Sequence, residues 1–185
     1  MKLLFISVFV LLSTGTTAQH KLIFSSQNYA GILEGEHSSK FQLQTINGIK
    51  FNTWFMGLGT GIDWYYLRSI PAFFSLNKDF WKRENRNFFI VMNGGINFPW
   101  KRDNYYNEWG YRVDKLTNGV YWEGGFGYKI GIGKGNDALL IQLGYSYKQV
   151  GEKAIVIYTD TPELNPMERF DYRLRRLSLK IGWNF

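Results

Sequence analysis

Two histidines are the only imidazoles in a chain that contains no cysteine. One of them, His37, stands two residues before Ser39 in His37-Ser38-Ser39. That spacing would let an imidazole activate a serine hydroxyl, provided a carboxylate orients the ring. His37 and Ser39 are the candidate catalytic residues, and a polar hairpin tip accounts for the same tripeptide without chemistry. The absence of cysteine excludes thiol chemistry, disulfides and cysteine-ligated metal. No histidine pair or carboxylate cluster has metal-ligand spacing, so neither a metal nor another cofactor is expected. Gly57-Leu58-Gly59-Thr60-Gly61 has the glycine density of a phosphate-binding loop but lacks the strand–turn–helix context. Its glycines fall on one face of an extended strand, as small residues packing beside large ones would.

The elements that must carry these residues are strands. In the last nine residues, Leu177, Leu179, Ile181, Trp183 and Phe185 alternate with Ser178, Lys180, Gly182 and Asn184. An apolar face opposed by a polar, glycine-bearing one suits a membrane barrel strand, lipid outside and lumen inside. Similar alternation recurs in Lys40 to Phe51, Trp54 to Tyr65, Ile70 to Phe80, Asn87 to Phe98, around Trp122 to Ile132, and in Ala138 to Gln149. A weaker first strand lies near Tyr29 to Glu36, giving eight. Aromatics are 18% of the 185 residues and glycines number 20. Mean hydropathy is nevertheless only -0.25, because alternation dilutes each apolar residue with a polar neighbour.

At the N-terminus, Lys2, the apolar run Leu3 to Leu12 and the small residues before Gln19 form the layout of a signal peptide over residues 1–18. A single barrel domain over 19–185 would follow, exported to the outer membrane of a Gram-negative cell. The formal charge of +7 falls to +6 once Lys2 is removed. At a bacterial surface the nearest polyanion is lipopolysaccharide, and no nucleic-acid-binding signature is present. With a periplasmic N-terminus, short turns fall near Asn52-Thr53, Arg83 to Arg86 and Gly133 to Asp137. The long external loops then fall at Pro99 to Asn118 and Val150 to Glu168, the outer-membrane pattern.

Strand parity assigns a lumen network of Glu34, Glu36, Asp63, Asp79 and Glu123 with Lys40, Lys50, Lys129, Lys148, Arg176 and Lys180. An eight-stranded barrel is just wide enough for side chains to fill, so these charges must pair. The expectation is a salt-bridged plug; the alternative is a narrow ion path lined by the same residues. Strict alternation back from Phe185 puts Arg173 and Arg175 outside, where they would meet lipid A phosphates or form a solvated rim. A bulge at Arg175-Arg176 would turn Tyr172 and Leu174 outward instead. Trp100, Tyr105, Tyr106, Trp109 and Tyr111 give the first long loop a composition suited to recognition.

The stretch Gln42 to Tyr65, with Ile46-Asn47-Gly48, Phe51-Asn52 and Gly57 to Asp63, then Ile70-Pro71 and the aromatic terminus, resembles small outer-membrane barrels. These are typified by outer-membrane proteins A and X and are common in Bacteroidetes. The resemblance implies an all-β, eight-stranded antiparallel up-and-down transmembrane barrel. It also implies insertion by the barrel-assembly machinery, which reads a C-terminal strand such as that carrying Trp183 and Phe185. Members of this family serve many roles, including contact with surface or secretion-machine proteins, so the resemblance bears on fold more than on activity. The His-x-Ser form is also similar to outer-membrane lipid A deacylases, although those carry it late in the chain. A soluble lipocalin-like barrel, with apolar residues inward around a ligand, is the other architecture. The leading functional expectation is a non-enzymatic outer-membrane barrel with a plugged lumen and contact-making loops.

Overall fold

A computed structural model describes residues 22–36, 38–100, 106–107, 111–133, 135–155 and 167–185. The described chain forms nine strands: β1 (Ile23–Glu34), β2 (Ser39–Phe51), β3 (Trp54–Asp63), β4 (Ser69–Arg83), β5 (Arg86–Pro99), β6 (Arg112–Thr117), β7 (Gly119–Gly131), β8 (Ala138–Ile155) and β9 (Met167–Asn184). All pairings are antiparallel, and β9 returns to β1, so eight strands close into a barrel. The ninth, β6, continues β7 past Asn118 and pairs with the upper end of β8. Closure leaves no edge within the barrel wall, which satisfies the backbone polar groups where no water is available.

Register fixes the barrel's shape. Stepping across paired residues from Ile23 through Lys50, Phe55, Asn77, Val91, Gly125, Gly144 and Ser178 arrives at Leu33, ten residues beyond the start. With ~3.4 Å rise per residue and ~4.8 Å between strands, that stagger tilts the strands roughly 40° from the axis.

Alternation sorts the two faces. Leu58, Met92, Phe126, Leu177, Leu179 and Ile181 stand outward and exposed, while Gln44, Ser75, Asn93, Glu123, Gln142 and Ser178 are buried inside. An apolar outside around a polar inside suits lipid and reverses the soluble lipocalin-like pattern. The short-turn mouth is bordered by Asn52-Thr53, Glu84-Asn85 and residues 132–133 and 135–137. Asn52 and Glu84 adopt left-handed φ values of 53° and 50°, as tight two-residue turns require.

Three expectations change. The first strand begins at Ile23, six residues before Tyr29, and its parity is opposite to the expected one: Leu33 faces inward and Ile32 outward. Consequently Glu34 is exposed on the outer face and Glu36 is exposed beyond the strand end; neither joins the lumen network. The residues expected as loops are also partly strand, because β6 lies within the first and β8 and β9 extend into the second. The β8–β9 register runs unbroken from Ala138↔Asn184 to Ile155↔Met167, so there is no bulge at Arg175-Arg176. Arg173 and Arg175 therefore point outward and Tyr172, Leu174 and Arg176 inward.

Candidate functional site

The lumen is filled in layers. Nearest the long-loop mouth, the Arg176 guanidinium donates to three backbone carbonyls: Tyr65 at 2.8 Å, Leu33 at 3.4 Å, and Ser38. These bonds tie β9 to the β1–β2 hairpin and to the segment after β3. Just inside, the Lys148 ammonium pairs with the Asp63 carboxylate and donates to Ser69 Oγ at 3.1 Å. Ser69 Oγ in turn donates to Asp63 Oδ1 at 2.8 Å. The Lys148 ammonium also lies 4.8 Å from the Tyr65 ring centre.

A second pair lies at the next level. Lys180 Nζ is 2.6 Å from Glu123 Oε1 and donates to Gln44 Oε1 at 2.7 Å. Glu123 also accepts from Tyr121 at 2.7 Å, Ser178 at 2.9 Å and Gln142 at 3.1 Å. The tyrosine hydroxyl itself accepts from Gln44 Nε2 at 2.9 Å. Each ion is thus neutralised and its remaining hydrogen-bonding capacity used, the condition on which a buried pair is tolerated. Asn93 and Asn97 are also buried, and their amides have no partner among the described residues.

Below these pairs lies an apolar layer that includes Tyr29, Ile46, Phe55, Phe73, Phe89 and Leu140. Its rings lie against glycines of the adjoining wall. A Cβ on Gly59 would sit 2.4 Å from the Phe73 ring, one on Gly127 2.3 Å from Phe89, and one on Gly182 2.5 Å from Tyr29. The glycine-dense run at Gly57–Gly61 is therefore a seat for lumen side chains, and its strand geometry holds no phosphate cradle. At the short-turn mouth Asp79 lies between Lys50, at 3.3 Å, and Lys129, at 3.7 Å. This third cluster borders a vestibule of about 700 Å³ and is partly solvated.

Of the residues placed in the lumen network by parity, Asp63, Asp79, Glu123, Lys50, Lys129, Lys148 and Lys180 form these three clusters, and Arg176 caps them. Lys40 pairs across the ladder with Leu33 on the inner face at the rim, outside the clusters. Sequence parity puts Ser178 on the polar, lumen-facing row, but it does not assign Ser178, Gln44, Ser69, Tyr121 or Gln142 to the charged network, nor does it predict the aromatic layer. The signal for the layer was present: bulky inward residues such as Phe73 and Phe89 recur opposite inward glycines.

Of the two catalytic candidates the structure describes Ser39 alone. His37 lies outside the described residues. Ser39 is exposed and its hydroxyl donates directly to Glu34, which shares its outer face. This bond engages the Ser39 hydroxyl with a carboxylate directly, where a hydrolase places an imidazole between the two. Incubated with lipid A, the folded barrel is expected to leave every acyl chain in place. Mass spectrometry showing one chain lost with wild type and none with Ser39→Ala would reverse that conclusion. Among the described residues, no group of three or more His, Cys, Asp or Glu side chains is placed to hold a metal.

On the outside, Arg173 and Arg175 line a recess of about 380 Å³ with Gly35, Glu36, Leu174 and Arg176. Trp100 is exposed, with the Arg68 guanidinium 4.0 Å from its ring centre. Tyr106 is exposed and bridges to Arg112, whereas Tyr111 stacks on Phe170 at 6.1 Å. Tyr105 and Trp109 lie outside the described residues. Trp183 and Phe185 face outward, and the Phe185 backbone exchanges two hydrogen bonds with Ser26, zipping the end of the chain onto β1.

Comparison with solved structures places this geometry. Neisserial surface protein A superposes with a TM-score of 0.56 at 10% identity, over 88% of this chain and 95% of that one. The likeness is one of fold. The N-terminal barrel domain of Pseudomonas aeruginosa OprF matches with a TM-score of 0.48 at 8% identity, over 88% and 96% of the two chains. The NanC porin gives 0.34 at 15% identity, over 88% and 99%. No family model matches the chain, and no curated protein sequence matches it.

Proposed function

We propose that this chain is an integral outer-membrane protein without enzymatic activity. Its lumen is plugged, and its long-loop end makes contacts at the cell surface. The observation that carries the reading is the burial of Lys148 and Lys180, at 0% and 1% exposure, each neutralised inside the barrel. An ammonium paired with a carboxylate and locked by neutral donors and acceptors is a structural group, not a mobile lining of a conduit. Around it, the outward apolar rows end in Trp54, Trp64, Trp122 and Trp183, an arrangement that supports an interfacial aromatic girdle.

In this reading the N-terminal segment is a cleaved export signal and both ends of the barrel domain are periplasmic. The β9 face bearing Trp183 and Phe185 is what the assembly machinery engages. Arg173 and Arg175 stand just beyond Leu177, at the level of the outer-leaflet headgroups, where guanidinium groups pair with lipopolysaccharide phosphates. Trp100 and Tyr106 are the described loop aromatics left exposed for a surface or secretion-machine protein. No nucleic-acid partner is expected.

Planar-bilayer recording tests the plug. The refolded barrel is expected to give no stable open level at any moderate voltage. Discrete, long-lived conductance steps from protein shown folded by heat-modifiable gel migration would instead assign the lumen charges to an ion path.

A further inference from the structure

The outer surface carries an anomaly at mid-membrane depth. Along β2 the outward row reads Phe51, Ile49, Asn47, Thr45, Leu43, Phe41, so its two central members are polar. Asn28 on β1 pairs in register with Thr45, and Thr60 on β3 pairs with it from the other side. The Thr45 hydroxyl donates to the Asn28 side-chain Oδ1 at 2.8 Å. The exposed Asn47 amide has no hydrogen-bond partner among the described residues. Hydrocarbon cannot supply one, and lipid-facing positions of such barrels are ordinarily apolar. The register and tilt place Asn28, Thr45, Asn47, Leu58 and Thr60 within roughly 8 Å of one another in depth, around the belt's centre.

The same patch is shaped. Short side chains at Asn28, Ala30, Thr45 and Thr60 leave a concavity of about 680 Å³ in the barrel's outer wall. Beside it Leu58, paired across the ladder with Asn47, projects at 73% exposure. A knob and a hollow thus lie side by side at one depth.

We propose that the β1–β3 face is a homodimer interface within the membrane, its occupant a second copy of this chain. The inference rests on the membrane-embedded reading above. Insertion gives every copy the same orientation, so a two-fold axis relating two copies runs along the membrane normal. Each residue then meets its partner's residues at its own depth. Under that symmetry Leu58 of each copy enters the hollow of the other, an isologous contact. The Asn47 amides, each both donor and acceptor, complete one another. An acyl chain would fill the hollow but leave the amide unmet, and a different protein would need a matching polar group at the same depth.

The full chain, reconstituted in phosphatidylcholine vesicles, provides the test. It has no native cysteine, so Glu84→Cys in an exposed turn takes donor and acceptor dyes. Energy transfer should persist on dilution into excess lipid, and Asn47→Leu should weaken the dimer roughly tenfold. Oxidative cross-linking should join copies through Thr60→Cys on β3, which the tilt brings above Asn47 and so beside the two-fold axis, but not through Leu143→Cys, four strands away around the barrel. Inserted, heat-modifiable protein that stays monomeric, or cross-links equally at both positions, overturns the dimer and spares the membrane reading. Unchanged or tighter association in Asn47→Leu also overturns it. Protein that stays accessible to protease along β1–β3 and never inserts overturns both.

Discussion

Lys180→Met should cost about 3–5 kcal/mol of stability, the largest effect expected of any single substitution in this chain. It leaves the Glu123 carboxylate buried without its counter-ion. Tyr121, Ser178 and Gln142 still donate to that carboxylate, so the loss should fall toward the lower end of the range. The measurement is the urea midpoint in phospholipid vesicles, read by heat-modifiable gel migration. Pairing Lys180→Met with Glu123→Leu should recover a large part of the loss, because the stranded charge is then gone. Lys50→Ala supplies the contrast. Lys50 is 30% exposed and Asp79 keeps Lys129, so that change should cost no more than ~1 kcal/mol. Should the two single variants unfold at the same urea concentration, the lumen is wet at the Glu123 level and the sealed interior is wrong.

Gly59→Val and Gly127→Val should each lower stability by about 1–3 kcal/mol through overpacking. The new Cβ would overlap the Phe73 ring in one case and the Phe89 ring in the other, at 2.4 and 2.3 Å. Both rings belong to the buried apolar lumen layer, so each must shift against its neighbours to make room. The effect should be specific to the pair. Phe73→Leu introduced beside Gly59→Val should restore part of the loss, a coupling that a double-mutant cycle isolates. Gly94→Ala, where a Cβ would meet nothing within 4 Å, should change the midpoint by less than ~0.5 kcal/mol. Equal losses at Gly94 and Gly59 would mean that strand propensity, and not ring seating, governs these positions.

The barrel was legible because seven of its strands have strong contrast between faces. In β9, Leu179, Ile181 and Trp183 oppose Ser178, Lys180 and Gly182, and the parity follows at once. β1 has no such contrast. Its inner row of Ser25, Gln27, Tyr29, Gly31 and Leu33 and its outer row of Phe24, Ser26, Asn28, Ala30 and Ile32 are almost equally mixed. Leu33 looks lipid-facing by type, yet it is buried inside beneath the Arg176 cap, and Glu34 stands outside with Ser39. Charges in the other strands were assignable to the lumen because their faces were. Which cation meets which anion was not, since Asp63 and Lys148 are joined only by the closure of the whole sheet. β6 was hidden for another reason: its two apolar residues, Val113 and Leu116, share a face only because the register shifts between Val113 and Lys115, which breaks the period of two in the sequence.

The ten-residue offset accumulated around the wall behaves as the pitch of a closed hoop. No strand can slide against one neighbour without every other junction sharing the slip, and a slip of one residue exchanges lipid-facing for lumen-facing side chains. The circumference is therefore fixed once the last ladder forms between β9 and β1. Above the hoop, β6 and the upper parts of β8 and β9 are held by their mutual ladders alone, free of that constraint. Substitution and length change should accordingly be absorbed in this upper fin. The ring beneath it tolerates only exchanges that keep its stagger.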